Sequence, residues 1–167
     1  MNEADTRREL IDPKIKDAGW GEIEGSYIRA EFQITNGEIK PGGIRAGIIK
    51  ADYVLIYKNR KLAVIEAKKD ELPVSDGVGQ AKAYAQKLKI LSTYSTNGKE
   101  IYEINYSKNE KGEMLSSKAA NLNEFKRHFI NELTIEKFIQ AQNGLLLQVF
   151  KKESKTVDIS KYEKTSQ

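Results

Sequence analysis

At 167 residues and 18.9 kDa the chain is long enough for one domain with a sizeable core. A net charge of +4 and a pI near 9.0, with both signs mixed among the 31% of charged residues, favour an anionic partner only mildly and exclude a histone-like polycation. The lack of cysteine removes disulfides, thiolate zinc sites and cysteine nucleophiles, and a single histidine argues against catalysis that needs several. No run approaches ~20 consecutive apolar residues and the amino terminus is polar, so a soluble, cytoplasmic protein with no membrane partner is expected.

Residues 4–18 read as a first helix with Leu10, Ile11, Ile15 and Ala18 on its buried side. Asp12-Pro13 should kink or restart it, because proline lacks a helix donor. Gly19-Trp20-Gly21 ends the helix, and Trp20 reads as a core plug rather than a nucleobase platform. Residues 26–34 alternate as a strand with Ile28, Ala30, Phe32 and Ile34 on one face, followed by an Asn36-Gly37 turn. The glycine-rich stretch 37–47 is a loop whose Lys40 and Arg45 could touch phosphates, though a plain connector is the simpler reading.

Two apolar, β-branched runs come next, 51–57 and 62–68, around a charged connection. They read as a hairpin. Ser75-Asp76 caps a helix running to Leu88, with Val78, Ala81, Ala85 and Leu88 as the stripe that lies on the sheet. A strand at 89–95, the Asn97-Gly98 turn and a strand at 100–106 follow, the last with Tyr102, Ile104 and Tyr106 on one face. Residues 107–120 read as a loop, and 121–132 and 134–143 as helices, with Gly144 as a C-cap and His128 on a solvated helix surface. Residues 145–150 suit a buried strand or helix end, and the polar segment from 151 a solvated tail or linker. The fold class expected is α/β: a mixed central sheet flanked by helices, with the site at one sheet edge.

The chemistry concentrates in the hairpin. Asp52 opens its first strand, and Glu66-Ala67-Lys68 closes the second. Residues two apart on a strand share a face, so Glu66 and Lys68 point the same way. A hard cation such as Mg²⁺ needs oxygen ligands and keeps several waters, so one or two carboxylates suffice to hold it. A lysine beside it can position or deprotonate water, or stabilise phosphoryl charge; both roles stay open. The plain alternative is a half-solvated hairpin end bearing surface charges. The active-site reading demands one register: pairing 52 with 66 makes 57 oppose 61 and leaves a three-residue loop, 58–60. A tight two-residue turn at 59–60 would turn Glu66 away, so an odd-length loop or a bulge is expected between these strands. Gln80 and Tyr84, four apart on the following helix, share a face that could contact substrate backbone or orient the ligands.

The motifs Glu-Ala-Asp-Thr-Arg (3–7), Leu-Ile-Asp-Pro (10–13), Ala-Gly-Trp (18–20), Ala-Asp-Tyr-Val-Leu (51–55), Val-Ile-Glu-Ala-Lys-Lys (64–69), Gly-Gln-Ala-Lys-Ala-Tyr-Ala (79–85) and Tyr-Ser-Thr-Asn-Gly (94–98) carry a resemblance over about residues 1–106. In order and spacing the chain resembles the amino-terminal nuclease domain of the R subunit of type I restriction endonucleases, a PD-(D/E)xK fold. The resemblance implies Asp52, Glu66 and the Ala67 backbone carbonyl as metal ligands, Lys68 as catalytic, and Gln80 and Tyr84 as accessory residues at the DNA backbone. It also points to an acid of the first helix, Glu3 with Glu9 as competitor. The family's proline before the first acid is Ala51 here, which removes no ligand.

What the resemblance implies is a nuclease domain over 1–150 (core about 1–106, helical part about 121–150) and a tail or linker over 151–167. It implies Mg²⁺, with Mn²⁺ able to substitute, and cleavage of double-stranded DNA without a covalent intermediate. Its expected partners are motor domains of a full-length subunit and methyltransferase and specificity subunits. A non-cleaving nucleic-acid-binding module of the same fold and a repair or junction-resolving nuclease are the alternatives.

Overall fold

The computed structural model describes residues 1–35, 41–43, 47–106, 123–128, 133 and 138. Six strands form one mixed sheet in chain order: β1 (Ser26–Gln33), β2 (Lys50–Tyr57), β3 (Arg60–Ala67), β4 (Ser92–Thr96), β5 (Glu100–Asn105) and β6 (Asn123–His128). All neighbours are antiparallel except β3 and β4. That parallel pair needs a crossover, supplied by a 3₁₀ turn (Val74–Gly77) and helix α3 (Val78–Leu88). At the amino terminus α1 (Glu3–Thr6), a π-helical turn (Arg7–Ile11) and α2 (Asp12–Asp17) run on from one another, with Pro13, which lacks a helix donor, directly after the π turn.

The central strands β2 and β3 are buried on both faces, which is why they read as almost continuous apolar runs. On one face Ile11, Ile15, Trp20, Tyr53, Leu55, Ile65 and Tyr94 form the main core. Trp20 is its plug, edge-on to Phe138 at 5.9 Å and donating its indole N–H to the Leu133 carbonyl. On the other face Val54, Ile56, Val64 and Ile90 pack with Tyr84 and Leu88, and Ala81 and Ala85 with Ile104 and Tyr106. The stripe expected of α3 therefore lies on the sheet. Leu10, expected to be buried, is only half so, because the π turn shifts the phase of the helix around it.

The hairpin solves its register problem with a bulge. The turn has two residues, Lys58 and Asn59, both at positive φ (45° and 64°), as a type I′ connection requires, so of the two solutions expected, an odd-length loop or a bulge, the chain uses the bulge. Tyr57 then pairs with Arg60 and Ile56 with Lys61, but Leu55 pairs with Ala63, leaving Leu62 as the extra residue. The bulge resets the phase, and one further step along the new register brings Asp52 across from Glu66.

Other expectations need correction. Glu31 in β1 has φ of 51°, and the alternation reverses there: Ile28 packs on the main core, whereas Phe32 and Ile34 pack on the opposite one with Tyr27. The helix expected over 121–132 is instead occupied by β6, which pairs with β5 from Glu100↔His128 to Asn105↔Asn123. An unpaired β5 edge outweighs the local helix preference of a polar segment, and His128 stands at the end of a strand. The site, expected at a sheet edge, lies at the ends of interior strands, since β1 covers β2. Lys40, Arg45, Gly144, segment 145–150 and the tail, with all but Phe138 of the helix expected at 134–143, lie outside the described residues. No helix among the described residues is long and apolar enough to cross a membrane.

Candidate active site

Asp52, Glu66 and Lys68 converge. Ala67 N–H donates to Asp52 Oδ2 at 2.7 Å, tying the start of β2 to the end of β3. Lys68 N–H continues the β3–β4 ladder by donating to the Thr96 carbonyl at 2.8 Å, so strand alternation still holds at position 68. Lys68 Nζ lies 2.8 Å from Glu66 Oε1 and 2.7 Å from Gln80 Oε1. Lys69, one residue on, is exposed. Gln80 thus reaches the site from the first turns of α3, and Tyr84 follows one turn later, half-buried. Burial, with Glu66 and Asp52 nearby, raises the Tyr84 phenol, and Gln80 partly opposes that rise.

Glu66 is buried, only 4% exposed. Burial pushes its carboxyl up to about 7; the hydrogen bond from Lys68 opposes the rise and the Asp52 charge adds to it. A group raised on folding stabilises the fold below its unfolded value, near 4.5, and loses that contribution as pH rises through about 7. In the absence of divalent ions, wild type should therefore lose about 2 kcal/mol relative to Glu66→Gln between those limits, after allowance for screening at the open side of the site. Paired urea titrations across that range measure it; parallel pH profiles would contradict it.

Of the amino-terminal acids, Glu9 lies 3.0 Å from Arg8, and the Glu3 side chain makes no hydrogen bond or ion pair among the described residues, its carbonyl accepting from the Arg7 N–H. No group of three Asp, Glu or His side chains there is placed to hold a metal. The donors brought together are the carboxylates of Asp52 and Glu66, an all-oxygen pair whose chemistry suits Mg²⁺ or Mn²⁺ completing its shell with water.

Two further residues enter the site without having been singled out as functional. Arg7, from the π turn, places Nη1 3.4 Å from Asp52 Oδ1 and Nη2 3.4 Å from the Asp52 carbonyl. Burial works against its charge, but hydrogen bonding to Glu31 and Tyr53 and the Asp52 carboxylate more than compensate and raise its pKa. Its only sequence signal is the Arg closing Glu-Ala-Asp-Thr-Arg. Gly77, at the amino-terminal end of α3, lies so near the site that a Cβ there would sit 3.1 Å from both Glu66 Cγ and Lys68 Cε.

The comparisons with known proteins fit this geometry. Residues 30–126, which include Asp52, Glu66, Lys68, Gln80 and Tyr84, match the family described as "Type I restriction enzyme EcoKI endonuclease subunit second domain". The chain belongs to the type I restriction enzyme endonuclease-subunit family. Over 102 residues it is 33% identical to the type I restriction enzyme EcoAI endonuclease subunit of Escherichia coli, which covers 59% of this chain. It also superposes on a fragment of an HsdR subunit of a type I restriction enzyme from Vibrio vulnificus YJ016, with a TM-score of 0.63, 33% identity and 86% of this chain covered. The chain spans 12% of the length of the EcoAI subunit and 26% of the Vibrio chain. Membership of an endonuclease-subunit family supports a nuclease or restriction function.

Proposed function

We propose that this chain is the DNA-cleavage module of a type I restriction enzyme, a Mg²⁺-dependent endonuclease acting on double-stranded DNA in the cytoplasm alongside motor domains and methyltransferase and specificity subunits. The observation that carries the proposal is the joining of Asp52, Glu66 and Lys68 on one face at the ends of two adjacent strands. A sheet end with no chemical task has no reason to bury Glu66 against a lysine.

Asp52, Glu66 and the Ala67 carbonyl would hold the divalent ion, which supplies charge neutralisation at the phosphoryl oxygens and a more acidic water. Lys68 orients the attacking water and stabilises negative charge on the phosphoryl group as water adds and the bond to the leaving oxygen breaks. Its ammonium is aimed by Glu66 and Gln80, one from the sheet and one from α3. Gln80 is exposed and Tyr84 is half-buried one turn later on the same helix, and the DNA backbone would pass along them.

Asp52→Asn or Glu66→Gln should weaken Mn²⁺ and Mg²⁺ binding in calorimetric titration by about tenfold or more and leave the fold intact, since each removes a charged ligand. Wild-type affinity in both variants would place the ion elsewhere. Mg²⁺-dependent nicking of supercoiled plasmid, with Glu66→Ala as control, tests the activity; DNA retention without cutting in wild type would favour a binding module. Preference for branched over linear DNA would instead favour a junction-resolving enzyme.

A further inference from the structure

We propose that Arg7 and Glu31 form a charge-balanced clamp on Asp52, in which Arg7 positions the carboxylate and Glu31 draws the guanidinium off it, leaving Asp52 able to take a divalent cation. The inference rests on the metal-dependent reading above. Arg7 has five N–H groups. Nε donates to Tyr53 Oη at 3.2 Å, Nη1 serves both Glu31 Oε1 and Asp52 Oδ1, and Nη2 reaches the Asp52 carbonyl. The guanidinium lies over the Tyr53 ring, 4.7 Å from its centroid, and Tyr53 Oη donates onward to Asp12 Oδ1 at 2.6 Å. With its donors so committed, Arg7 is a poor phosphate ligand and a good fixture.

The two carboxylates are held differently. Arg7 is in close contact with Glu31 but 3.4 Å from Asp52, longer than the 2.7–2.9 Å typical of a charge-assisted hydrogen bond. An arginine facing Asp52 alone would close to a forked ion pair and occupy the lone pairs a cation needs. Glu31 prevents this at a conformational cost. Its φ of 51° is unfavourable for a residue with a Cβ, and such strain persists where the surroundings impose it. The same left-handed residue reverses the alternation of β1. Charge supports the assignment: ionised Asp52, Glu66 and Glu31 against Arg7 and Lys68 leave one net negative charge, and neutralising Glu31 would leave none.

The test is calorimetric titration of the 167-residue chain with Mn²⁺ alone at pH 8, with urea midpoints confirming that each variant folds. Glu31→Gln should weaken binding about 10–100-fold, as for other residues that orient a metal ligand. Arg7→Met alone, which keeps an apolar stem over Tyr53, should change affinity by no more than about threefold, and adding it to Glu31→Gln should bring affinity back to within about threefold of wild type, a non-additivity expected only of interacting neighbours; Arg7→Gln provides a second version. Wild-type affinity in Glu31→Gln would overturn the clamp. So would a double variant no tighter than Glu31→Gln, which would make Glu31 itself a ligand. If folded wild-type chain binds no Mn²⁺, the metal-dependent reading fails instead. A merely structural Arg7 could only make the double variant worse.

Discussion

Replacing Lys68 with alanine should abolish cleavage while sparing most DNA binding, and replacing Lys69 should do neither. The neighbours face opposite ways. Lys68 Nζ is 2.8 Å from Glu66 Oε1 and 2.7 Å from Gln80 Oε1, whereas Lys69 is exposed. The work of Lys68 is done on charge that develops in the transition state, so its loss falls on the chemical step rather than on ground-state affinity. Loss of one such contact costs on the order of 3–4 kcal/mol, or about 10²–10³ in rate. Lys69→Ala should cost at most a modest, salt-sensitive part of DNA affinity, as for one phosphate contact. Single-turnover cleavage, with the chain in whatever assembly gives wild-type activity, separates them. Normal cutting by Lys68→Ala with loss in Lys69→Ala would reverse the assignment.

The central hairpin and its acids were legible because two constraints act on the same residues. Burial on both faces forces β2 and β3 into apolar runs, and any polar group at their ends stands out against them. The need for Asp52 and Glu66 to share a face then demanded an odd loop or a bulge, and Leu62 supplies the bulge. Which of the two solutions the chain uses was not legible, since Lys58 is an unusual residue for a positive φ. Its ammonium lies over the ring of its neighbour Tyr57, and its N–H donates to the Gly25 carbonyl, a tertiary contact that no local pattern reveals. The phase switch at Glu31 and strand β6 were hidden for the same reason. Glu31 is set by Arg7, 24 positions away in sequence, and β6 by an edge left open in β5. Arg7 was hidden too, because nothing local links a helical arginine to an aspartate in another strand.

Gly77→Ala should cripple the site, although backbone conformation gives it no reason to. Gly77 has φ of −90° and ψ of −9°, which alanine adopts freely. At a permissive position the exchange would stabilise the fold by about 0.4–1 kcal/mol, through the unfolded chain. Here the added methyl would lie 2.3 Å from Ser95 Oγ and 3.1 Å from Glu66 Cγ and Lys68 Cε. Ser95 cannot easily yield: it is fully buried, pairs with Glu66 across β3 and β4, and donates to the Val74 carbonyl at 2.6 Å. The start of α3 must lift away, or Glu66 and Lys68 must move, and overpacking of this kind costs about 1–3 kcal/mol. A displacement near 1 Å at the reacting groups lowers rate by roughly 10²-fold. Ser95→Ala in the same chain removes the nearest obstacle but leaves both 3.1 Å contacts. The double variant should therefore regain much of the lost stability and little of the lost cleavage. Thermal unfolding and single-turnover cleavage read the two separately. Wild-type behaviour of Gly77→Ala in both would mean that α3 can retreat without cost, and that its close approach does not set the geometry of Glu66 and Lys68.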